Sequence, residues 1–115
     1  MTTFLGQHSE ADDHLADLEA QGLDVRVVPA ALTKSAILDE FAAALALPGW
    51  FGRNWDALLD ALRDLTNDDG RPIELVWDHV RALRDVDRHT FATVLEILEQ
   101  VEEERDDLGV TVIAR

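Results

Sequence analysis

The sequence predicts an α/β fold: a small three-stranded parallel sheet packed with helices, preceded by an N-terminal helical extension. Three short apolar runs carry this prediction, and each has the length and composition of a buried strand; they are residues 24–29 (DVRVVP), 73–77 (IELVW) and 110–114 (VTVIA). Segments with helical periodicity separate the runs, as the long crossovers between parallel strands require. The 115 residues, 47% of them apolar, suffice for one compact domain.

The N-terminal residues form a section of their own in the predicted organisation. Residues 1–9 show no clear period and are expected to be a loosely held arm. A short helix is predicted to begin at Ser9, its N-cap, and to stop before Gly22. We therefore expect an arm and helix over residues 1–22 and a globular domain over residues 23–115.

Three further helical segments lie between the predicted strands. The first covers residues 35–46, and Pro48 and Gly49 prevent it from continuing. Its apolar face consists of Ile37, Leu38, Phe41, Ala42 and Leu45. A short helix or turn is predicted over residues 78–85. Asp87 can cap the last long helix, about residues 88–104, whose apolar stripe is Phe91, Val94, Leu95, Leu98 and Val101.

Residues 47–65, LPGWFGRNWDALLDALRDL, are the most informative segment for function. A Pro-Gly turn carries Trp50 and Phe51 and leads to Asn54, whose side-chain oxygen can cap the helix that follows. Phe51 is expected to pin the loop to the core. Two interpretations of Trp50 stay open, because a loop aromatic can fill a gap beneath its loop or anchor a partner protein.

The helix predicted over residues 55–65 sorts its side chains by face. Three carboxylates recur every four residues and form one stripe, Asp56, Asp60 and Asp64. The core-facing stripe consists of Trp55, Leu58, Leu62 and Leu65, and Leu59 lies at the border. An acidic face beside an aromatic loop suits a basic partner. The alternative interpretation is a solvated face that only keeps the protein soluble.

Charge and composition exclude several classes of function. The chain has 24 Asp plus Glu against 10 Lys plus Arg, a formal net charge of −14, which repels nucleic acid and attracts basic proteins. It has no cysteine, so disulfides and cysteine zinc sites are impossible. Residues 1–24 do not resemble a signal peptide and no apolar run could span a membrane. We expect a cytoplasmic protein without membrane contact, monomeric when free.

Enzymatic chemistry has no positive support in the sequence. Asp56 and Asp60 could form an acid–base couple or hold a metal, but no histidine accompanies them at helical spacing. The four histidines include no pair that one helix or strand would bring together. We therefore predict no catalytic residue, no metal and no cofactor. A metal-dependent carboxylate enzyme is kept as a distant alternative, which divalent cations would stabilise.

The segment LALPGWFGRNWDALLDALRDL resembles the signature region of the barstar-type ribonuclease inhibitors, and the similarity extends from about Val25 to the C-terminus. The resemblance implies a three-stranded parallel sheet with helices and no catalytic activity. It also implies that the chain binds a secreted, basic ribonuclease, or another basic toxin, inside the producing cell, as an antitoxin or immunity protein. In such a pair the inhibitor's carboxylates take the place of RNA phosphates in the enzyme's active site.

The resemblance also assigns expected roles to individual residues in partner binding. Asp60 matches the principal acidic plug and Asp56 the neighbouring carboxylate. Trp50 matches a loop aromatic at the interface, and Asn54 the junction between loop and helix. Leu59 and Gln100 also match partner-binding positions but differ from the family pattern in residue type, and Glu103 and Glu104 lie near Gln100.

These differences define the expected contacts and leave one alternative function open. Leu59 stands where the best-known member has an aromatic contact, and Gln100 where it has an acidic residue. Glu103 and Glu104 lie one turn further and could supply the missing charge. The alternative to inhibition is a regulatory or adaptor protein that kept the fold and binds a partner other than a nuclease.

Overall fold

The computed structural model describes residues 2–48, 52–66 and 69–115. Nine elements follow one another in these ranges, and their bounds are β1 Thr3–Leu5, α1 His8–Ala20, β2 Asp24–Pro29, α2 Lys34–Ala44, α3 Trp55–Arg63, β3 Ile73–Asp78, α4 Arg81–Val86, α5 Arg88–Glu104 and β4 Leu108–Ile113. The predicted α/β class is confirmed. Within the described ranges, no helix has the length and apolar content needed to cross a bilayer.

The sheet has four strands, so the predicted count of three is wrong. Its order is β1-β4-β3-β2, and all three pairings are parallel. The additional strand is Thr3–Leu5, which pairs with residues 111–113 of β4. A loosely held arm was expected here, because three residues are too few to show a period. The strand forms because the edge of β4 otherwise leaves its backbone N–H and C=O groups unpaired.

Helix α1 also begins before the predicted position. Its N-cap is Gln7, without a side-chain hydrogen bond, so Ser9 is not the cap. Since β1 holds the chain in the sheet up to Leu5, the helix starts after a connection of only Gly6 and Gln7. The predicted caps of the other helices are confirmed: Asn54 accepts a hydrogen bond from the Ala57 N–H at 2.7 Å, and Asp87 accepts one from the Thr90 N–H at 3.1 Å.

Two apolar clusters cover opposite faces of the sheet, because successive strand residues point to opposite sides. The larger cluster lies under α2, α3, α4 and α5, and its largest members are Trp77, Phe41, Leu58 and Leu62. The smaller cluster lies under α1 and consists of Ala11, Leu18, Val76 and Ile113. The sheet is thus sandwiched between α1 on one side and the other helices on the opposite side.

Polar contacts attach α1 to the sheet in addition to this smaller cluster. His14 lies 3.2 Å from the Thr111 hydroxyl, which donates to Glu74 at 2.8 Å. Glu74 lies so close to Gly109 that a Cβ there would overlap its carboxylate. Burial raises the pKa of the Glu74 carboxyl above its usual value. The N-terminal section is therefore an integral part of the fold: β1 belongs to the sheet and α1 forms the layer on one of its faces.

Candidate functional site

Helix α3 is held in place by its apolar side and its cap. Leu58 and Leu62 are fully buried in the larger cluster, one turn apart on the face toward the sheet. At the N-terminus, the Asn54 side chain caps the helix and also donates to the Gly52 carbonyl at 3.3 Å. Both ends of this amide therefore act within the chain, which fixes the entry angle of the loop into α3.

The acidic stripe lies on the exposed side of α3. Asp56, Asp60 and Asp64 are all exposed, and the Asp60 side chain retains 75% of its accessible surface. The helix ends at Arg63, so Asp64 is its C-cap rather than part of its last turn. The predicted exposure of the stripe is confirmed. Whether these carboxylates bind a partner is a separate question and stays a prediction.

A groove of about 520 Å³ lies beside the acidic stripe, between α3 and the chain that follows α2. Its walls are largely apolar, and Asp60 and Asp64 contribute carboxylates to it. The apolar residues include Leu45, Leu47, Pro48, Ala61 and Leu65. Sequence reasoning missed this groove, because periodicity shows which side of α3 is buried but not how closely the chain after α2 packs beside it.

The chain at both ends of the loop has left-handed backbone at residues other than glycine. Ala46, after α2, has φ 51°, and Arg53, before α3, has φ 52°. Such conformations are strained and are found often near functional sites. Arg53 also forms an ion pair with Asp39 of α2, which links the end of the loop to that helix. Trp50 and Phe51 lie outside the described residues, so their predicted roles stay predictions.

Arg63 connects the acidic stripe to helix α5. Its guanidinium donates to Glu104 through Nε at 2.8 Å and Nη2 at 2.9 Å, and Nη1 lies 3.6 Å from Asp60. Gln100 donates to the same Glu104 carboxylate at 3.2 Å. The Arg63 hydrogen bonds, followed by that from Gln100, lower the pKa of Glu104 to about 2.

The structure thus brings together some of the predicted partner-binding residues and leaves others apart. Arg63 joins Asp60 to Glu104, and Gln100 is connected to them by its hydrogen bond to Glu104. Sequence reasoning did not single out Arg63, although it lies three positions after Asp60. The Glu103 side chain is exposed and makes no hydrogen bond or ion pair within the described part of the chain. Leu59 is half-buried and packs at the edge of the larger cluster.

Side chains that could ligate a metal ion are dispersed over the parts of the chain that the structure describes. No group of three or more His, Asp or Glu side chains converges there in a way that could hold a metal ion. Asp56 and Asp60 lie open to solvent on a helix surface, and such a setting does not provide the desolvated pocket on which general acid–base catalysis depends.

The fold and the site define a class: a small α/β protein whose parallel sheet supports an exposed acidic helix beside a groove. Residues 25–114 match the family model described as "Barstar (barnase inhibitor)". The chain therefore belongs to the barstar family. Members of this family are inhibitors rather than enzymes. The match begins after β1 and α1, so the N-terminal layer lies outside it.

Other comparisons inform the fold and no more. None of the curated proteins matches the chain. Among the solved structures, one described as "Structure of the Aeropyrum Pernix ORC2 protein (ADPNP-ADP complexes)" is similar with a TM-score of 0.54 at 14% sequence identity. The similarity covers 98% of this chain and 34% of that chain, so this chain spans about a third of that protein's length. At this identity the likeness shows a shared fold alone.

Proposed function

We propose that the protein is a cytoplasmic antitoxin or immunity protein that binds a basic ribonuclease, or another basic toxin, and blocks its active site. The observation that carries the proposal is the exposed Asp60, beside Asp56 and at the rim of the groove, in a chain of the barstar family. A ribonuclease active site binds phosphates with cationic side chains, and two carboxylates one helical turn apart can occupy such a site.

The overall charge supports the same partner. A net charge of −14 draws a basic protein toward the acidic face and raises the rate of encounter. Barnase and barstar, the pair for which the family is described, are themselves a standard case of electrostatically steered association. Steering by exposed charges weakens as salt screens them.

The groove supports insertion of one partner side chain. Its apolar walls can cover the stem of a long or planar basic side chain, while Asp60 and Asp64 face the charged end. Arg63 adds a cation at the border of this surface, and its contacts with Glu104 and Asp60 neutralise part of the surface's negative charge. An interface of standard size, roughly 1,600 Å² in total, suits such a pair.

The test measures binding and inhibition of barnase, used as the probe, by the wild-type protein and two variants. We expect Asp60→Ala to weaken binding by more than about tenfold, since a central charged contact is lost. Asp13→Ala is the matched control, because Asp13 is an exposed carboxylate of α1 on the opposite face of the sheet. Equal losses in both variants would contradict a site at α3.

A second measurement covers the case in which the natural target differs from barnase. The protein is used to capture partners from its own producing cells, with Asp56→Asn/Asp60→Asn as the comparison. A small basic nuclease retained by the wild type, released by the double variant and inhibited at equal molarity supports the proposal. A partner without nuclease activity supports the adaptor alternative.

A further inference from the structure

A second concave site lies at the carboxyl ends of the strands. It is a cavity of about 420 Å³, and it shares no lining residue with the groove beside α3. Gly6, after β1, Val80, after β3, and Ala114, after β4, all line it. The three strands that meet here are neighbours in the order β1-β4-β3.

The connections that leave these strands go to opposite faces of the sheet. The chain after β1 enters α1, over the smaller apolar cluster, whereas the chain after β3 enters α4, beside the larger cluster. In open parallel sheets, ligands bind in the crevice that forms outside the carboxyl ends where connections diverge in this way. The cavity occupies that topological position.

The side chains around the cavity combine apolar surface with two cations. Phe4, Phe91 and Val112 supply the apolar part, and Phe4 is 57% exposed although it lies on a strand. Phe91 is stacked on the buried Trp77 ring, with centroids 5.5 Å apart, so its orientation is fixed by the core. Arg81 and Arg84, three residues apart on α4, add two guanidinium groups.

These two arginines differ from most others in the protein. Six arginines lie within 3.2 Å of a carboxylate oxygen; they are Arg26, Arg53, Arg63, Arg71, Arg105 and Arg115. Arg81 has no ion pair within the described part of the chain, and Arg84 comes only within 3.9 Å of its neighbour Asp85. Among the described residues, the cavity lining contains no carboxylate, although the chain carries 24.

We propose that this crevice binds a small amphipathic anion, with a carboxylate or phosphate at Arg81 and Arg84 and a flat apolar body between Phe4 and Phe91. Planar guanidinium groups match both kinds of anion through paired hydrogen bonds. The cavity volume falls within the range of small-molecule sites. In a protein of net charge −14, two arginines without a close ion pair give an anion a local attraction beside the apolar wall of the cavity.

The test follows backbone amide chemical shifts by NMR while naphthoate or naphthyl phosphate is added to the full chain. The two probes share the apolar body and differ in the anionic group, so their relative affinities identify the preferred anion. Naphthalenemethanol, which keeps the body and lacks the charge, is the neutral comparison. We expect shifts concentrated at Leu5, Gly6 and Val80 and weaker binding of the neutral probe by roughly tenfold.

Variants separate this site from general attraction to a cationic surface. Arg81→Gln/Arg84→Gln should weaken binding of the anionic probes by roughly tenfold or more, because charge-assisted hydrogen bonds are lost. Arg88→Gln is the matched control: Arg88 is the first residue of α5, is exposed and does not line the cavity. Arg84→Lys keeps the charge but not the planar fork and should bind with intermediate affinity.

Several results would overturn the proposal. They are the absence of shifts at the cavity with either anionic probe, equal affinity for the neutral probe, and equal losses in the double variant and in Arg88→Gln. Binding of an acidic peptide at the same residues, without binding of either naphthyl anion, would also overturn it and assign the crevice to a protein partner. Unchanged melting of the variants verifies that they remain folded.

Discussion

Arg63 of α3 donates two hydrogen bonds to the carboxylate of Glu104 at the end of α5, at 2.8 and 2.9 Å. The two residues are 41 positions apart in sequence, and their contact fixes the acidic helix against α5. Because Arg63 also lies 3.6 Å from Asp60, the candidate interface contains its own cation between two carboxylates. Glu104 is therefore already paired before any partner arrives.

Arg63→Gln should raise the pKa of Glu104 from about 2 toward its ordinary value of 4.5, because the hydrogen bonds that stabilise the ionised form are lost. Because the pKa of Glu104 is lower in the folded than in the unfolded protein, its ionisation stabilises the fold at pH values above the unfolded-state pKa. That contribution is lost as the pH falls through the folded-state pKa of about 2. Carboxyl NMR titration measures the pKa directly. An unchanged Glu104 pKa in the variant, with Arg88→Gln as control, would disprove the pairing in solution.

Asn54→Ala should destabilise the protein by about 1 kcal/mol, because α3 loses the side chain that accepts the Ala57 N–H. Asn54→Asp keeps an acceptor at the same place and should retain most of the stability. Urea unfolding of both variants provides the measurement. If both variants lose equal stability, the cap is not what Asn54 contributes.

Ala46→Gly should stabilise the protein by about 1 kcal/mol, because a glycine adopts the left-handed backbone at this position without the strain of a Cβ. The gain is partly offset by the larger entropy of glycine in the unfolded chain. Thermal unfolding compares the variant with Ala43→Gly, a control within α2, where glycine should destabilise. A loss of stability in Ala46→Gly would contradict the strained conformation.

Removal of residues 1–22 should lower the melting temperature strongly or cause aggregation. The deletion uncovers Val76 and Ile113, which are fully buried beneath α1, and it leaves the edge of β4 unpaired. Circular dichroism and sedimentation of residues 23–115 provide the measurement. If that fragment folds with unchanged stability, the N-terminal layer is dispensable and residues 23–115 form a self-sufficient domain.

Glu74→Gln should stabilise the protein at neutral pH, by less than about 1 kcal/mol since the group is only half-buried and partly screened by solvent. Burial raises the pKa of Glu74 in the folded protein, so ionisation of this carboxyl opposes folding. The protonated group favours folding at pH values below its usual pKa of 4.5, and this contribution is lost as the pH rises through the folded-state pKa. The stabilising effect of the substitution should therefore shrink in acid. Thermal melts across pH test this dependence.

The elements with a clear sequence period were predicted well. The apolar face of α2, with Ile37 and Phe41 buried, and the cap of α5 at Asp87 are examples in which local sequence and tertiary packing agree. The three residues of β1 were not predictable, because a strand this short is stabilised by its partner strand and carries no pattern of its own. Because β1 was not predicted, the start of α1 was also placed too late in the sequence.

The candidate site likewise has features that local sequence predicts and features that only tertiary packing produces. The acidic stripe of α3 follows from the spacing of Asp56 and Asp60 alone, and its exposure follows from the burial of Leu58 on the other side. The Arg63–Glu104 contact and the two concave sites could not be predicted from local spacing. The contact depends on how α3 packs beside α5, and the concave sites depend on how loops and strand ends pack against helices.

The sequence by itself determined the α/β class, the barstar-like segment and the acidic helix. Each of these follows from the periodicity, turn residues or charge of a short stretch of sequence. Only the tertiary structure decided that the N-terminal residues complete the sheet, that Arg63 neutralises part of the acidic face, and that Arg81 and Arg84 lie beside apolar walls at the strand ends. These features arise from long-range packing, in which backbone pairing and burial of apolar surface bring together groups that no local pattern connects.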